Sequence, residues 1–239
     1  MSSLPLVFTV TESAKAIGWK GICFRIDGLH NRDSDPRFTQ LADESLQKIL
    51  SGLTLDTILN DPILQGFKQM HETIAHSNRE TSPAPESLLK ILLRHRKLPQ
   101  INLLVNIYNL ISVETRLALG AHDIEHISGN VVMRLADGNE SFYPIGATEP
   151  KPVRPGDYAY IDSSNEVLCW LEVKQVEKTK VTLDTTHCFY IIQGNPETDP
   201  EYLKTAADRL ITLTKEFCGG TETFLYTPEL STNSNPKII

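Results

Sequence analysis

A segment that is apolar on almost every side of a helix must be enclosed, and that leaves few folds open to the chain carrying it. The stretch from Pro99 to Ile127 contains such a segment. Ile101, Leu103, Leu104, Val105, Ile107, Tyr108, Leu110, Ile111 and Val113 cover most of a helical surface. One stripe interrupts them: Asn102, Asn106, Asn109, Ser112 and Arg116 recur at spacings of 3 and 4 and share a face. A solvated face would carry Lys and Glu, and asparagine is a mediocre helix former. Uncharged amides suit a half-buried face whose donors and acceptors meet neighbouring backbone or a ligand. Pro99 stands where this helix would start and Gly120 where it would stop. Ala121-His122-Asp123 then reads as a compact polar turn. The expectation is one core around a 101–116 helix, with residues 1–98 packed on it.

The chain of 239 residues is long enough for a sizeable core and leaves one domain or two both open. No apolar run approaches the roughly 20 residues of a membrane span, and the opening MSSLPLVFTV lacks the basic region of a signal peptide. Cys23, Cys169, Cys188 and Cys218 show no paired metal-ligand spacing and read as reduced core thiols of a cytoplasmic protein without a metal or cofactor. A formal charge of −7 argues against broad nucleic-acid binding while leaving room for a local basic patch.

Taken in order, Leu4 to Thr9 and Gly21 to Ile26 read as strands, with a turn or two of helix over Glu12 to Ile17 between them. Helical spacing follows over Pro36 to Leu50, then from an Asp61-Pro62 start through Ile63, Phe67, Met70 and Ile74. Ser77 to Pro85 is a polar loop, and Glu86 to Leu93 is helical. The period then changes: Asn130 to Leu135, Ser141 to Ile145, Tyr158 to Ile161, Glu166 to Val173 and Thr186 to Ile192 read as strands. Glu201 to Phe217 returns to helix and stops at Gly219-Gly220, leaving a polar tail over residues 228–239. Strands grouped between helices indicate an α+β fold with a mixed β core packed by helices, preceded by a largely helical N-terminal segment.

Several segments stand out in order: Ser82-x-x-x-Glu86-x-Leu88, Pro99-x-Ile-Asn102, Val105-Asn106-x-x-Asn109 and Leu119-Gly-Ala-His-Asp123-Ile-Glu. Met133-Arg-Leu-Ala-Asp-Gly-Asn-Glu140, Gly156-x-x-x-Tyr160-Ile-Asp162, Glu177-Lys-Thr-Lys-Val181 leading to Asp184-Thr185, and the late helix before Gly219-Gly220 complete the set, which spans about Ser82 to Gly220. Together they resemble the B3/B4 domain of the bacterial phenylalanyl-tRNA synthetase β subunit, and more closely the free-standing proteins built from it. The resemblance implies one domain over 1–227 with its best-matching part at 99–220. It also implies an editing hydrolase that cleaves the ester of tRNA carrying the wrong amino acid. The family's editing glutamate falls on Glu177 and its threonine on Thr185. Where the synthetases place a histidine, this chain has Gly120, and the nearest imidazole is His122.

An aminoacyl ester is activated, so an oriented water and donors toward the carbonyl oxygen suffice. Glu177 and His122 are the candidates for catalysis, the imidazole because it titrates near neutrality. Asn102, Asn106, Asn109, Asp123 and Thr185 are candidates to hold the amino acid or terminal ribose. Arg94, Arg96, Lys97, Lys178 and Lys180 are candidates for tRNA phosphates. Each also has a plainer reading. Glu177 lies in a charged turn, the asparagines can tie down loops, and cations at a helix C-terminus complement its dipole. Two other functions stay open: a tRNA- or partner-binding module without chemistry, and a binder of a small amino-acid-like ligand.

Overall fold

The computed structural model describes residues 6–74 and 81–228. The chain runs β1 (Phe8–Val10), α1 (Glu12–Ala16), β2 (Lys20–Asp27), α2 (Pro36–Gly52), α3 (Leu55–Leu59), α4 (Pro62–Thr73), α5 (Ala84–His95) and α6 (Leu103–Thr115). It continues with β3 (Ala118–Asp123), β4 (Val131–Leu135), β5 (Tyr158–Asp162), β6 (Val167–Trp170), β7 (Lys174–Gln175), β8 (His187–Gly194), α7 (Pro200–Cys218) and β9 (Thr221–Tyr226).

Two sheets result, ordered β1-β4-β5-β6-β7 and β3-β8-β2-β9. The second sheet is apolar on both faces. Along β8, Cys188, Tyr190 and Ile192 face one way and Phe189 and Ile191 the other; along β2, Ile22, Phe24 and Ile26 oppose Cys23. Successive side chains of a strand alternate faces, so a near-continuous apolar run marks a sheet covered on both sides. One cover is a helical layer from α2, α5, α6 and α7, and the other is the five-stranded sheet with α1 and the end of α4. The single core expected around α6 is therefore two apolar layers that share one sheet.

Within the helical layer, every residue of α6 from Leu103 to Val113 except Asn109 is buried. The helix begins four residues after Pro99, because Asn102 caps it: its Oδ1 accepts from Val105 N at 3.1 Å. Ile101 lies outside the helix and is 58% exposed. The helix ends at Arg116, in the left-handed region at φ 60°, where the Arg116 N–H donates to the Ser112 carbonyl at 2.8 Å.

Two local expectations are corrected. Gly120 and Ala121-His122-Asp123 form a strand, paired with β8 from Ala118↔Gln193 to Asp123↔Cys188. The turn comes later, at Ile124–His126, where the Asp123 carboxylate accepts from Glu125 N. Ser141 to Ile145 makes only two isolated bridges, Ser141↔Glu166 and Pro144↔Val176; a proline cannot donate to a ladder. Of the Ser77–Pro85 loop, residues 77–80 lie outside the described residues, as do 229–239 of the tail and 1–5 at the start. No helix among the described residues is long and apolar enough to cross a membrane.

Candidate ligand cavity

β3 is the outer strand of one sheet and β7 the outer strand of the other. Where these free edges approach, the protein encloses a cavity of about 620 Å³. Its remaining walls are the start of α5 (Ala84, Ser87, Leu88), Tyr108 and Asn109 of α6, and the turn from Pro144 to Ala147. Ala118, His122, Tyr160, Cys169, Glu172, Ile191 and Gln193 line it and are buried, whereas Ile145, Gly146, Lys151 and Lys174 are exposed and form its mouth.

Register explains the deep wall. His122, Gly120 and Ala118 alternate onto one face of β3, opposite Phe189, Ile191 and Gln193 of β8. His122 and Gln193 are thus four strand positions apart, about 13 Å along the sheet. Gly120 lies between them, and a Cβ there would stand 2.5 Å from Gln175 Nε2. Glycine at 120 lets the Gln175 amide lie against the strand.

His122 is fully buried; its Nδ1 meets the Thr179 hydroxyl at 2.7 Å and its Nε2 has no partner among the described residues. Burial pulls its pKa down to about 3, so the ring is neutral at physiological pH. It can give or take a hydrogen bond there but cannot store a proton, which alters the near-neutral titration expected of it. The Thr179 hydroxyl has only His122 as partner among the described residues. Donating its proton to Nδ1 leaves only the Nε2–H unpaired, whereas the other tautomer would strand both the Thr179 proton and the Nε2 lone pair, so the ring proton sits on Nε2.

Glu172 is buried between the Tyr158 hydroxyl and His71, whose Nε2 lies 2.7 Å from Glu172 Oε1. The Cys169 thiol is pushed well up by burial, so it is no nucleophile. Among the described residues no group of His, Cys, Asp and Glu side chains is placed to hold a metal ion.

Of the residues singled out in the sequence, the cavity takes His122 and Asn109 directly. Glu177 stands behind its mouth: Gly146 N donates to Glu177 Oε2 at 3.3 Å and Lys180 Nζ is bonded to Oε1. The Lys180 ammonium holds this carboxyl below the usual carboxylate range. The others go elsewhere. Asn106 ties the segment before α6, accepting from Ile101 N at 3.0 Å and donating to Gln100 Oε1 at 3.0 Å. Asn102 donates to the Val181 carbonyl at 3.2 Å, and the Thr185 hydroxyl donates to Asp123 Oδ2 at 2.7 Å. Asn102 and Asn106 are thus engaged by backbone and by a neighbouring side chain, and of the three asparagines only Asn109 lines the cavity. Lys178 pairs with Glu166 at 2.7 Å, while Arg94, Arg96 and Lys97 are exposed with no carboxylate partner among the described residues. Glu172, Gln175 and Gln193 line the cavity without having been singled out, and Tyr160 lines it although its motif alone assigns it no role there.

The cavity lies inside a recognisable unit. A family model described as the B3/4 domain matches residues 70–219. This chain belongs to the B3/4 domain family. Over 135 residues the B3/4 protein is 27% identical to the phenylalanine–tRNA ligase β subunit of Mycoplasma genitalium, which covers 56% of this chain and 16% of that subunit. Its fold is similar to an N-terminal fragment of the phenylalanyl-tRNA synthetase β-subunit from Pyrococcus horikoshii. The TM-score is 0.50 at 17% identity, over 93% of this chain and 53% of that one. The B3/4 protein therefore spans only part of the length of either relative.

Proposed function

We propose that this B3/4 protein binds the aminoacylated end of tRNA and hydrolyses the ester of a wrongly attached amino acid. One observation carries the reading: a cavity with a cationic mouth, at Lys151 and Lys174, whose lining includes His122, a buried imidazole with an Nε2 that has no partner among the described residues. Kinship with tRNA ligase β subunits supplies the class of substrate.

In this reading water attacks the ester carbonyl carbon. The new C–O bond forms as the bond to the ribose oxygen breaks, and the water proton passes to that leaving hydroxyl. The neutral His122, with its proton on Nε2, donates to the carbonyl oxygen as negative charge develops there. Glu177, ionised behind the mouth, braces the Gly146 turn and so positions the water at the cavity entrance. In single-turnover deacylation of a mischarged tRNA found by a panel screen, Glu177→Ala is expected to slow the rate about ten- to a hundredfold. Melting should stay near wild type, because the Glu177 side chain is 40% exposed. Unchanged turnover removes Glu177 from the chemistry.

A second reading rests on the same geometry. Lys180 and Gly146 already engage Glu177, and His122 cannot carry a proton, which suits a binding module without chemistry. Deacylation of no member of the panel by the wild type selects it. Both readings place phosphates near the exposed end of α5. Reversing the charges of Arg94, Arg96 and Lys97 together is expected to weaken tRNA binding and to reduce the slope of log K against log salt by about 2 to 3. Filter binding across a salt series measures this, and an unaltered slope excludes the patch.

A further inference from the structure

Gln193 closes the inner end of the cavity and is 1% exposed. Its amide orientation is fixed by a relay. An indole N–H can only donate. Trp19 Nε1 donates to Tyr160 Oη at 2.8 Å, so the tyrosine proton is directed onward, to Gln193 Oε1 at 2.5 Å. Trp19 and Tyr160 are 3% and 1% exposed, so water does not compete for the relay. The Gln193 oxygen is thereby consumed and its NH2 turned away from Tyr160. That Nε2 has no hydrogen-bond partner among the described residues. A buried donor left without an acceptor is costly, and the residue that carries it is one of those lining a cavity large enough for a ligand.

We propose that Gln193 is the specificity-determining residue of the cavity, and that it selects an amino-acid side chain ending in a carbonyl or carboxylate oxygen. This rests on reading the cavity as an aminoacyl site. The Gln193 end lies about 13 Å from the His122 end. That spacing lets the ester sit by His122 while an extended side chain reaches the amide. An apolar chain of equal length fills the same space and leaves the donor unpaired. A site built to hydrogen-bond a substrate group rejects the analogue lacking it far more strongly than a greasy pocket rejects a missing methylene.

The test uses two non-hydrolysable 3′-aminoacylamino-adenosines, one carrying glutamine and one carrying norleucine, with calorimetry on the full chain. The glutamine compound is expected to bind at least tenfold tighter to wild type. Gln193→Leu should bring the two within about twofold of each other. Tyr160→Phe, which keeps the ring but frees the amide to turn, should lose part of the preference while still binding norleucine as wild type does. A glutamine side chain that only supports the fold would instead weaken both compounds equally. A preference that survives Gln193→Leu overturns the proposal. Should neither compound bind wild type, the aminoacyl reading falls, and acetamide then decides the donor itself. A saturable shift of the Gln193 side-chain NH2 resonance, assigned by its loss in Gln193→Leu, keeps Gln193 as a donor to carbonyl ligands. No shift overturns the proposal as well.

Discussion

Leu110→Ala should lower the melting temperature by roughly 6–12 °C. The side chain is 1% exposed inside the helical layer, at the centre of a helix whose apolar surface has no solvent side. Truncating a leucine there removes its transfer free energy and leaves a hole that packed neighbours fill only in part, about 3 kcal/mol in all. For a chain of this size each kcal/mol moves the midpoint by roughly 2–4 °C. Leu59→Ala is the matched control. Leu59 is 41% exposed at the end of α3, and its loss should cost about 0.5 kcal/mol. Thermal melts of both variants beside wild type give the comparison, and equal shifts would mean that α6 is not the enclosed element.

The enclosure of α6 was legible because burial on all sides leaves a mark in the sequence that no local rule competes with. Strands β2, β5 and β8 were legible for the same reason, each being a dense apolar run. β3 was not. Leu-Gly-Ala-His-Asp carries the composition of a turn, and only its pairing with β8, some 70 positions away, makes it a strand. β9 was missed as well, since Thr221-Glu-Thr-Phe-Leu-Tyr226 is half exposed and takes its conformation from β2. The asparagine stripe read as a half-buried face whose amides meet backbone or a ligand, but sequence spacing cannot say which neighbour each meets; Asn102 and Asn106 are buried. Two of the three turned to loops, and only Asn109 reached the cavity. Gln193 did leave a signal. It shares strand parity with Phe189 and Ile191, so alternation alone places a polar amide on a buried face. Glu172 left none, because its importance lies in its partners Tyr158 and His71 on other elements; Tyr160 stood in a motif, but nothing in the sequence assigned it a place in the cavity.

His71→Leu should destabilise the protein by about 3–5 kcal/mol in mildly acidic buffer, and by progressively less as the pH rises. His71 and Glu172 are both buried, at 0% and 5% exposure, with His71 Nε2 2.7 Å from Glu172 Oε1. Burial alone would lower the imidazole pKa, but the Glu172 carboxylate outweighs it, with smaller help from Asp157 and Glu86, and the net shift is upward from 6.5. Lys68 and Lys90 both lie on Glu86, so the nearest unscreened anion is Glu172. Removing one partner of a buried pair strands the other charge, which is what makes the loss large. The sign follows from linkage. A folded pKa raised above the unfolded value contributes stability that is complete below about 6.5, and that is lost as the pH climbs through the higher folded pKa. Urea unfolding of wild type and His71→Leu from pH 5 to 9 should therefore show a gap that is widest at the acid end and narrows above neutrality. A gap constant across that range would mean that His71 stays neutral and fills space only. Because Glu172 also lines the cavity, the same titration changes the charge beside any bound ligand. Ligand affinity should accordingly change over the pH window in which the stability gap closes.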